Sequence, residues 1–334
     1  MIISRTPFRI SLFGGGSDYP HWYRSHGGQV LGFAINKYCY ISLRELPQFF
    51  GHRHRLVYSK VETVNRLEEI QHPAVRHVLQ EMKVDLGVEI HHDGDLPARS
   101  GLGSSSSFTV GLINAIEALR GRMISKQQLA QEAIRIEQDV IRENVGSQDQ
   151  IWAAYGGFNR IDFHRDGGFE VAPLILPVMR RDALIGNLML FFTGISRIAS
   201  QIAGEKIAAL DEKAAHIRRM TGLVDEAVAI LNRERGDLDD IGHLLHESWQ
   251  LKRELTGSIS TPDVDEIYQR GRAAGALGGK LLGAGGGGFM VFYVPQGCRD
   301  AVRAALAPLI EVQVNVDMSG SKIVVYEPDG LQSR

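Results

Sequence analysis

Over the first 95 residues, apolar and polar positions alternate in short runs. Residues 2–13, 29–33, 39–43 and 88–92 carry β-branched and aromatic side chains between Gly, Asp and Pro breaks, and the pattern predicts strands. Residues 73–82 predict a helix with Pro73 at its first position, where no N–H is missed. A Gly/Ser-rich loop follows over 94–107. The period then changes: Phe108, Leu112, Ile116 and Leu119 recur at helical spacing. A second long helix is predicted over 125–143, with Ser125 as its N-cap. Strands are predicted at 158–163 and 169–173, and Pro173 and Pro177 mark a lobe boundary. Beyond it come a strand at 188–193, helices at 198–233, 239–255 and 262–274, and a glycine-rich segment at 278–288 flanked by strands. A helix at 298–307 and strands at 312–316 and 322–326 complete the pattern. Strands and helices mix without strict alternation, so the expected class is α+β in two lobes, residues 1–178 and 179–334.

Composition narrows the function classes. The 334 residues are 44% hydrophobic and 23% charged, with a net charge of -2. No basic bias points to nucleic acid, and no polybasic run points to a membrane surface. Two cysteines, Cys39 and Cys298, are far apart and make neither a disulfide framework nor a CxxC metal site. The start lacks the charged-then-apolar order of a signal peptide, so the expected location is the reducing cytoplasm. His52, His54, His91 and His92 have no metal-ligand spacing and read as polar loop or strand residues.

The chemistry concentrates in Leu96-Pro97-Ala98-Arg99-Ser100-Gly101-Leu102-Gly103-Ser104-Ser105-Ser106-Ser107. Glycines allow a sharp turn and a close backbone approach to a ligand. The serines open a helix, whose free N–H groups and dipole favour an anion such as phosphate. GxxxxGK[ST] and the dinucleotide fingerprint are both absent. In the second helix, at 100° per residue, Glu137 falls about 80° from Leu129, inside the apolar face formed with Ala130, Ala133, Ile136 and Val140. A carboxylate facing a core either pairs with a cation such as an arginine or binds a metal. Asp149 lies in a short connecting segment after Gly146, which is expected to end that helix.

Three segments together resemble the GHMP kinases, the family that includes galactokinase, homoserine kinase and mevalonate kinase. Pro97 to Ser105 matches its PxxxGLGSS signature. Arg5-Thr6-Pro7-Phe8-Arg9-Ile10-Ser11-Leu12-Phe13-Gly14-Gly15-Gly16-Ser17-Asp18-Tyr19 resembles its N-terminal motif, and Lys280-Leu281-Leu282-Gly283-Ala284-Gly285-Gly286-Gly287-Gly288 its C-terminal one. The resemblance spans nearly the whole chain. It implies an N-terminal lobe like ribosomal protein S5 and a ferredoxin-like C-terminal lobe, with ATP bound by Pro97, Ser100, Gly101, Leu102, Gly103, Ser104, Ser105 and Ser106. It implies Mg²⁺ on Glu137 and a loop serine, Ser104 or Ser105, with Ser105 preferred. Asn144-Val145-Gly146-Ser147-Gln148-Asp149-Gln150 resembles the GxxDQ motif, making Asp149 the catalytic base. Arg9 would hold Asp149 ionised and stabilise charge on the transferring phosphoryl group.

Gly14-Gly15-Gly16-Ser17-Asp18-Tyr19 departs from the galactokinase form of the motif. With Ile35-Asn36-Lys37-Tyr38 and Phe192-Thr193-Gly194-Ile195-Ser196-Arg197-Ile198-Ala199-Ser200, it resembles the bacterial D-glycero-D-manno-heptose 7-phosphate kinases. These phosphorylate an anomeric hydroxyl on the route to nucleotide-activated heptose for surface polysaccharide. The implied partner is a sugar phosphate, with the assembly left open between monomer and homodimer. Acceptor contacts are expected from Gly15, Gly16, Ser17, Asp18, Gly285 and Gly286. Lys37 and Arg197 are the candidate phosphate anchors, since arginine suits that anion by bidentate geometry.

Overall fold

The computed structural model describes residues 1–195, 199–234 and 236–328. Its described strands are β1 (Ile2–Phe13), β2 (Gly28–Glu45), β3 (His54–Val57), β4 (Val61–Val64), β5 (Val88–Gly94), β6 (Phe158–Phe163), β7 (Phe169–Pro173), β8 (Leu188–Phe192), β9 (Gly278–Leu281), β10 (Phe289–Tyr293), β11 (Ile310–Val312) and β12 (Lys322–Tyr326). The first sheet runs β12-β1-β2-β5-β3-β4, with β6 and β7 extending from the first half of β2. β3 and β5 pair in parallel. β1 and β2 pair along almost their whole length, and both are largely buried. Helix Ser104–Leu119 is buried along most of its length, which leaves its first turn fixed above β1.

The second sheet runs β11-β8-β10-β9, all antiparallel. In chain order this is strand, helices, strand, strand, helix, strand, with the last strand beside the first, the ferredoxin-like arrangement. It is covered by helices that include Asp239–Arg253 and Pro262–Ala273, while helix Ala214–Leu231 packs between the first of these and strands β1 and β2.

Several boundaries differ from the pattern. The strands expected at 29–33 and 39–43 are one strand, β2, because the intervening bulge keeps the ladder with β1 intact. The helix expected over 125–143 is α-helical only over Lys126–Arg135. One π-helical turn follows, Ile136–Val140, and the chain breaks at Arg142, whose φ is 62°. The helix expected over 198–233 is two, Ala199–Ala209 and Ala214–Leu231. Helices Pro20–His26 and Val178–Gly186 and strands β3 and β4 lack a clear apolar period and escape prediction. A division at 178/179 does not separate the sheets fully: Val316 bridges Ile35, and β12 pairs with β1, so the chain's end returns to the first lobe.

Candidate active site

The glycine turn joins β5 to helix Ser104–Leu119. Gly101 and Gly103 have φ of 82° and 76°, the left-handed region that glycine adopts without strain. A Cβ at Gly101 would lie 2.5 Å from the Leu282 carbonyl oxygen, so the turn is wedged against the second lobe's glycine segment. Gly103 is the helix N-cap and offers no side-chain oxygen to the first turn. The N–H groups at that start are therefore left to a ligand or water, and the helix dipole favours an anion there. Pro97 is exposed, while Ser100 is buried, its hydroxyl without a partner among the described residues.

Arg9 projects from β1 beneath this turn. Its Nε and Nη2 donate to Asp149 Oδ1 and Oδ2, both at 2.7 Å, and its Nη1 donates to the Gly101 carbonyl at 2.7 Å. The fork fixes the carboxylate in one plane and ties it to the loop. A Cβ at Gly103 would lie 3.4 Å from Asp149 Oδ2, so Asp149 is at the mouth of the turn. It stands in the first turn of helix Gln148–Tyr155, rather than in a connecting segment. Gly146 does not end the preceding helix; it makes room for Asp18, whose Oδ2 would lie 1.9 Å from a Cβ there.

Glu137 is fully buried. Its Oε2 accepts from Ser106 Oγ at 2.9 Å and from Gln150 Nε2, while among the described residues Oε1 has no hydrogen-bond partner. Burial pushes its carboxyl up to about 7, with Glu143 adding to the rise. The serine beside the carboxylate is Ser106, not Ser105 or Ser104. Ser105 faces outward, and the Ser104 hydroxyl accepts from the Arg99 N–H. The helix starts at Ser104, and that phase turns the third serine inward. An orphaned carboxylate oxygen with a hydroxyl beside it, next to an anion-binding turn, suits Mg²⁺, which takes few protein oxygens and completes its shell with phosphate and water.

Asp18 lies near enough to Asp149 to feel its charge. Its Oδ1 accepts from the Gly16 N–H and its Oδ2 from Gln148 Nε2, both at 2.9 Å. Burial raises its carboxyl pKa, and Lys206 opposes that rise. Ser17 turns its hydroxyl away, onto the carbonyls of Gly14 and Gln29. A Cβ at Gly15 would lie 3.9 Å from Ser11 Oγ and 4.0 Å from Gln148 Nε2, in ordinary contact with both.

Gly286 donates its N–H to the Ile259 carbonyl, and a Cβ at Gly285 would lie 2.8 Å from the Ile259 Cα. This segment buttresses the glycine turn: Phe289 donates to the Ser100 carbonyl, and Gly283 packs on Gly101. Lys37 sits half-buried at the β1–β2 bulge opposite Pro7 and Phe8. Arg197 falls outside the described residues.

Sequence reasoning missed Ser11, Gln148 and Lys206. Ser11 Oγ donates to Gln148 Oε1 at 2.8 Å, which orients that amide toward Asp18. Lys206 was detectable by the test that found Glu137. At 100° per residue it falls about 40° from Ile202, between the buried Ile202 and Leu210.

Residues 65–157 match the model of the GHMP kinase N-terminal domain and residues 226–308 that of the GHMP kinase C-terminal domain. The chain is 30% identical to D-glycero-alpha-D-manno-heptose 7-phosphate kinase of Campylobacter jejuni over 304 residues, covering 88% of this chain and 89% of that one. It is 24% identical to galactokinase of Thermotoga maritima, covering 98% of this chain and 99% of that one. The fold matches the crystal structure of a D-glycero-D-manno-heptose 1-phosphate kinase from Bacteroides thetaiotaomicron with a TM-score of 0.78, at 23% identity, over 98% of this chain and all of that one. With both domain models and a full-length relative in agreement, the chain belongs to the GHMP kinases.

Proposed function

We propose that this protein is an ATP-dependent sugar-phosphate kinase that phosphorylates the anomeric hydroxyl of D-glycero-D-manno-heptose 7-phosphate, giving the 1,7-bisphosphate. The observation that carries the reaction type is the Arg9–Asp149 fork held 3.4 Å from the Cβ position of Gly103. It sets a carboxylate and a guanidinium at the edge of an anion-binding helix start. The choice of acceptor is supported by the likeness to the Campylobacter jejuni enzyme over most of both chains.

The triphosphate lies across the helix start, with the N–H groups of the turn donating to its oxygens. The acceptor hydroxyl faces Asp149, which takes its proton as the oxygen attacks the γ-phosphorus. A new O–P bond forms, the bond from the γ-phosphorus to the bridging oxygen breaks, and ADP leaves with the electron pair. Arg9 holds Asp149 in position, and its charge stabilises the transferring group. Glu137 and Ser106 would hold Mg²⁺, which when bound neutralises phosphate charge. As in other phosphoryl transfers, positioning and electrostatics do most of the work.

The test is an ADP-coupled assay over a panel: heptose 7-phosphate, mannose 6-phosphate, free mannose, galactose and fucose. Turnover should be fastest with the heptose phosphate, with phosphorus NMR placing the new group at the anomeric position. Turnover of a free hexose alone would reassign the protein as a kinase of unphosphorylated sugars. No ADP above the ATPase background with any sugar would make it a binding protein on a kinase fold.

A further inference from the structure

Helix Ala199–Ala209 belongs to the second lobe but lies over the Gly14–Tyr19 turn of the first. Ile202 and Leu210 pack with Tyr19 and Trp22, and a Cβ at Gly204 would lie 3.1 Å from Asn144 Nδ2. From this helix Lys206 points inward, with only 5% of its surface exposed. Its ammonium passes over the Tyr19 ring, 5.1 Å from the centroid. It ends beside Gly16, where a Cβ would stand 3.4 Å from Nζ.

Two other lysines are as deeply buried, and they behave differently. Lys252 donates to the carbonyls of Leu281 and Gly283 at 2.8 and 2.6 Å, and Lys280 donates to the Leu12 carbonyl at 2.8 Å. Both are held in place by backbone oxygens. Among the described residues, nothing accepts a hydrogen bond from Lys206, and no carboxylate lies within 4.0 Å of it. An ammonium with three free donors in so enclosed a place draws its acceptors from water or a ligand.

The nearest opposite charges are those of Asp18 and Asp149, which both act on Lys206 electrostatically. No direct ion pair joins them, so contact between the two sides is left to a group placed between them, through hydrogen bonds of about 2.8 Å to each. Each oxygen of Asp18 already accepts one bond and keeps a lone pair for another. A sugar hydroxyl both donates and accepts, so it satisfies the two sides together. A phosphate does not suit the same place, because two carboxylates face it.

We propose that Lys206 is an acceptor-binding residue, donating to a ring hydroxyl oxygen that Asp18 holds from the other side. This rests on the sugar-phosphate kinase reading and names a contact within it. It also places the second lobe's helix in direct touch with the sugar, so acceptor binding would draw the two lobes together.

The test compares wild-type, Lys206→Met, Asp18→Asn and the double variant, with the panel sugar that the wild-type turns over fastest. Methionine fills the same space without charge, so the fold should hold, and the melting temperature should stay level or rise. Lys206→Met should raise KM for the sugar by about 10-fold or more, as loss of a charged hydrogen bond does, with KM for ATP within about twofold. The double variant should be at least as impaired as either single one. Unchanged sugar KM in Lys206→Met would overturn the proposal. So would recovery in the double variant, which would mean that Lys206 only offsets the Asp18 charge. Should the wild-type turn over no sugar, the kinase reading fails by itself. Calorimetric binding of heptose 7-phosphate then decides the Lys206 contact: weaker binding in Lys206→Met supports it, and equal or absent binding in both proteins refutes it.

Discussion

Ser105 and Ser106 are neighbours in sequence and differ in what each can reach. One faces outward, and the other lies buried 2.9 Å from Glu137. Which serine turned inward could not be read from the sequence, because the phase depends on where the helix begins, and Gly103 sets that by its left-handed backbone. Glu137 was legible because a charged residue inside an apolar stripe is visible to simple periodicity. Asp149 and Arg9 were identified only by resemblance. Their partnership joins residues 140 positions apart, which no local pattern encodes. Ser106→Ala should raise the Mg²⁺ concentration for half-maximal turnover by about 10-fold, in the range expected for losing one hydrogen bond to a charged group. Ser105→Ala should leave it within about twofold. A metal titration of both variants checks this, and the reverse ranking would contradict the assignment.

At the scale of elements, the two glycine segments act as one unit. Gly101 and Gly283 pack face to face, so neither tolerates a side chain. Gly101→Ala would combine a φ of 82° with a contact 2.5 Å from the Leu282 carbonyl, a strain of about 1–3 kcal/mol or more. Nucleotide affinity should fall by about 10-fold, measured by titration with ATP. Gly121→Ala is the control, with a similar φ of 68° but open space around it, and should leave nucleotide affinity unchanged. Equal effects of the two would show that the cross-lobe packing is unimportant. The sequence pattern located both glycine segments. Their packing on one another is a contact between remote segments, invisible until the lobes are assembled. The π-turn that carries Glu137 was likewise hidden, since the residues of 125–143 read as a continuous helix and the break at Arg142 has no glycine or proline to mark it.

Across the whole molecule, the lobes meet through buried charge as well as glycine packing. Lys280, on β9 of the second sheet, donates to Leu12 on β1 of the first. Burial lowers its pKa to about 7 from the ordinary 10.5. Between those values the unfolded chain binds a proton that the folded chain does not. The group's cost to stability is therefore full below pH 7 and is relieved as pH rises toward 10.5. Thermal unfolding of the wild-type should gain more, or lose less, between pH 7 and 9 than unfolding of Lys280→Met, and parallel curves would contradict this. The two-lobed α+β class was legible from strand and helix periods. The return of β12 to the first sheet was not, because pairing with β1 spans the full chain.

The central claim is that Asp149, clamped by Arg9 at the glycine turn, takes the proton from a sugar phosphate's hydroxyl. The most direct measurement is ADP formation with heptose 7-phosphate by wild-type and Asp149→Asn proteins, alongside ATP affinity for each. Turnover should drop by roughly two orders of magnitude or more, as loss of a general base commonly causes, with ATP affinity within about threefold of wild-type. Near-normal turnover in Asp149→Asn would contradict the mechanism.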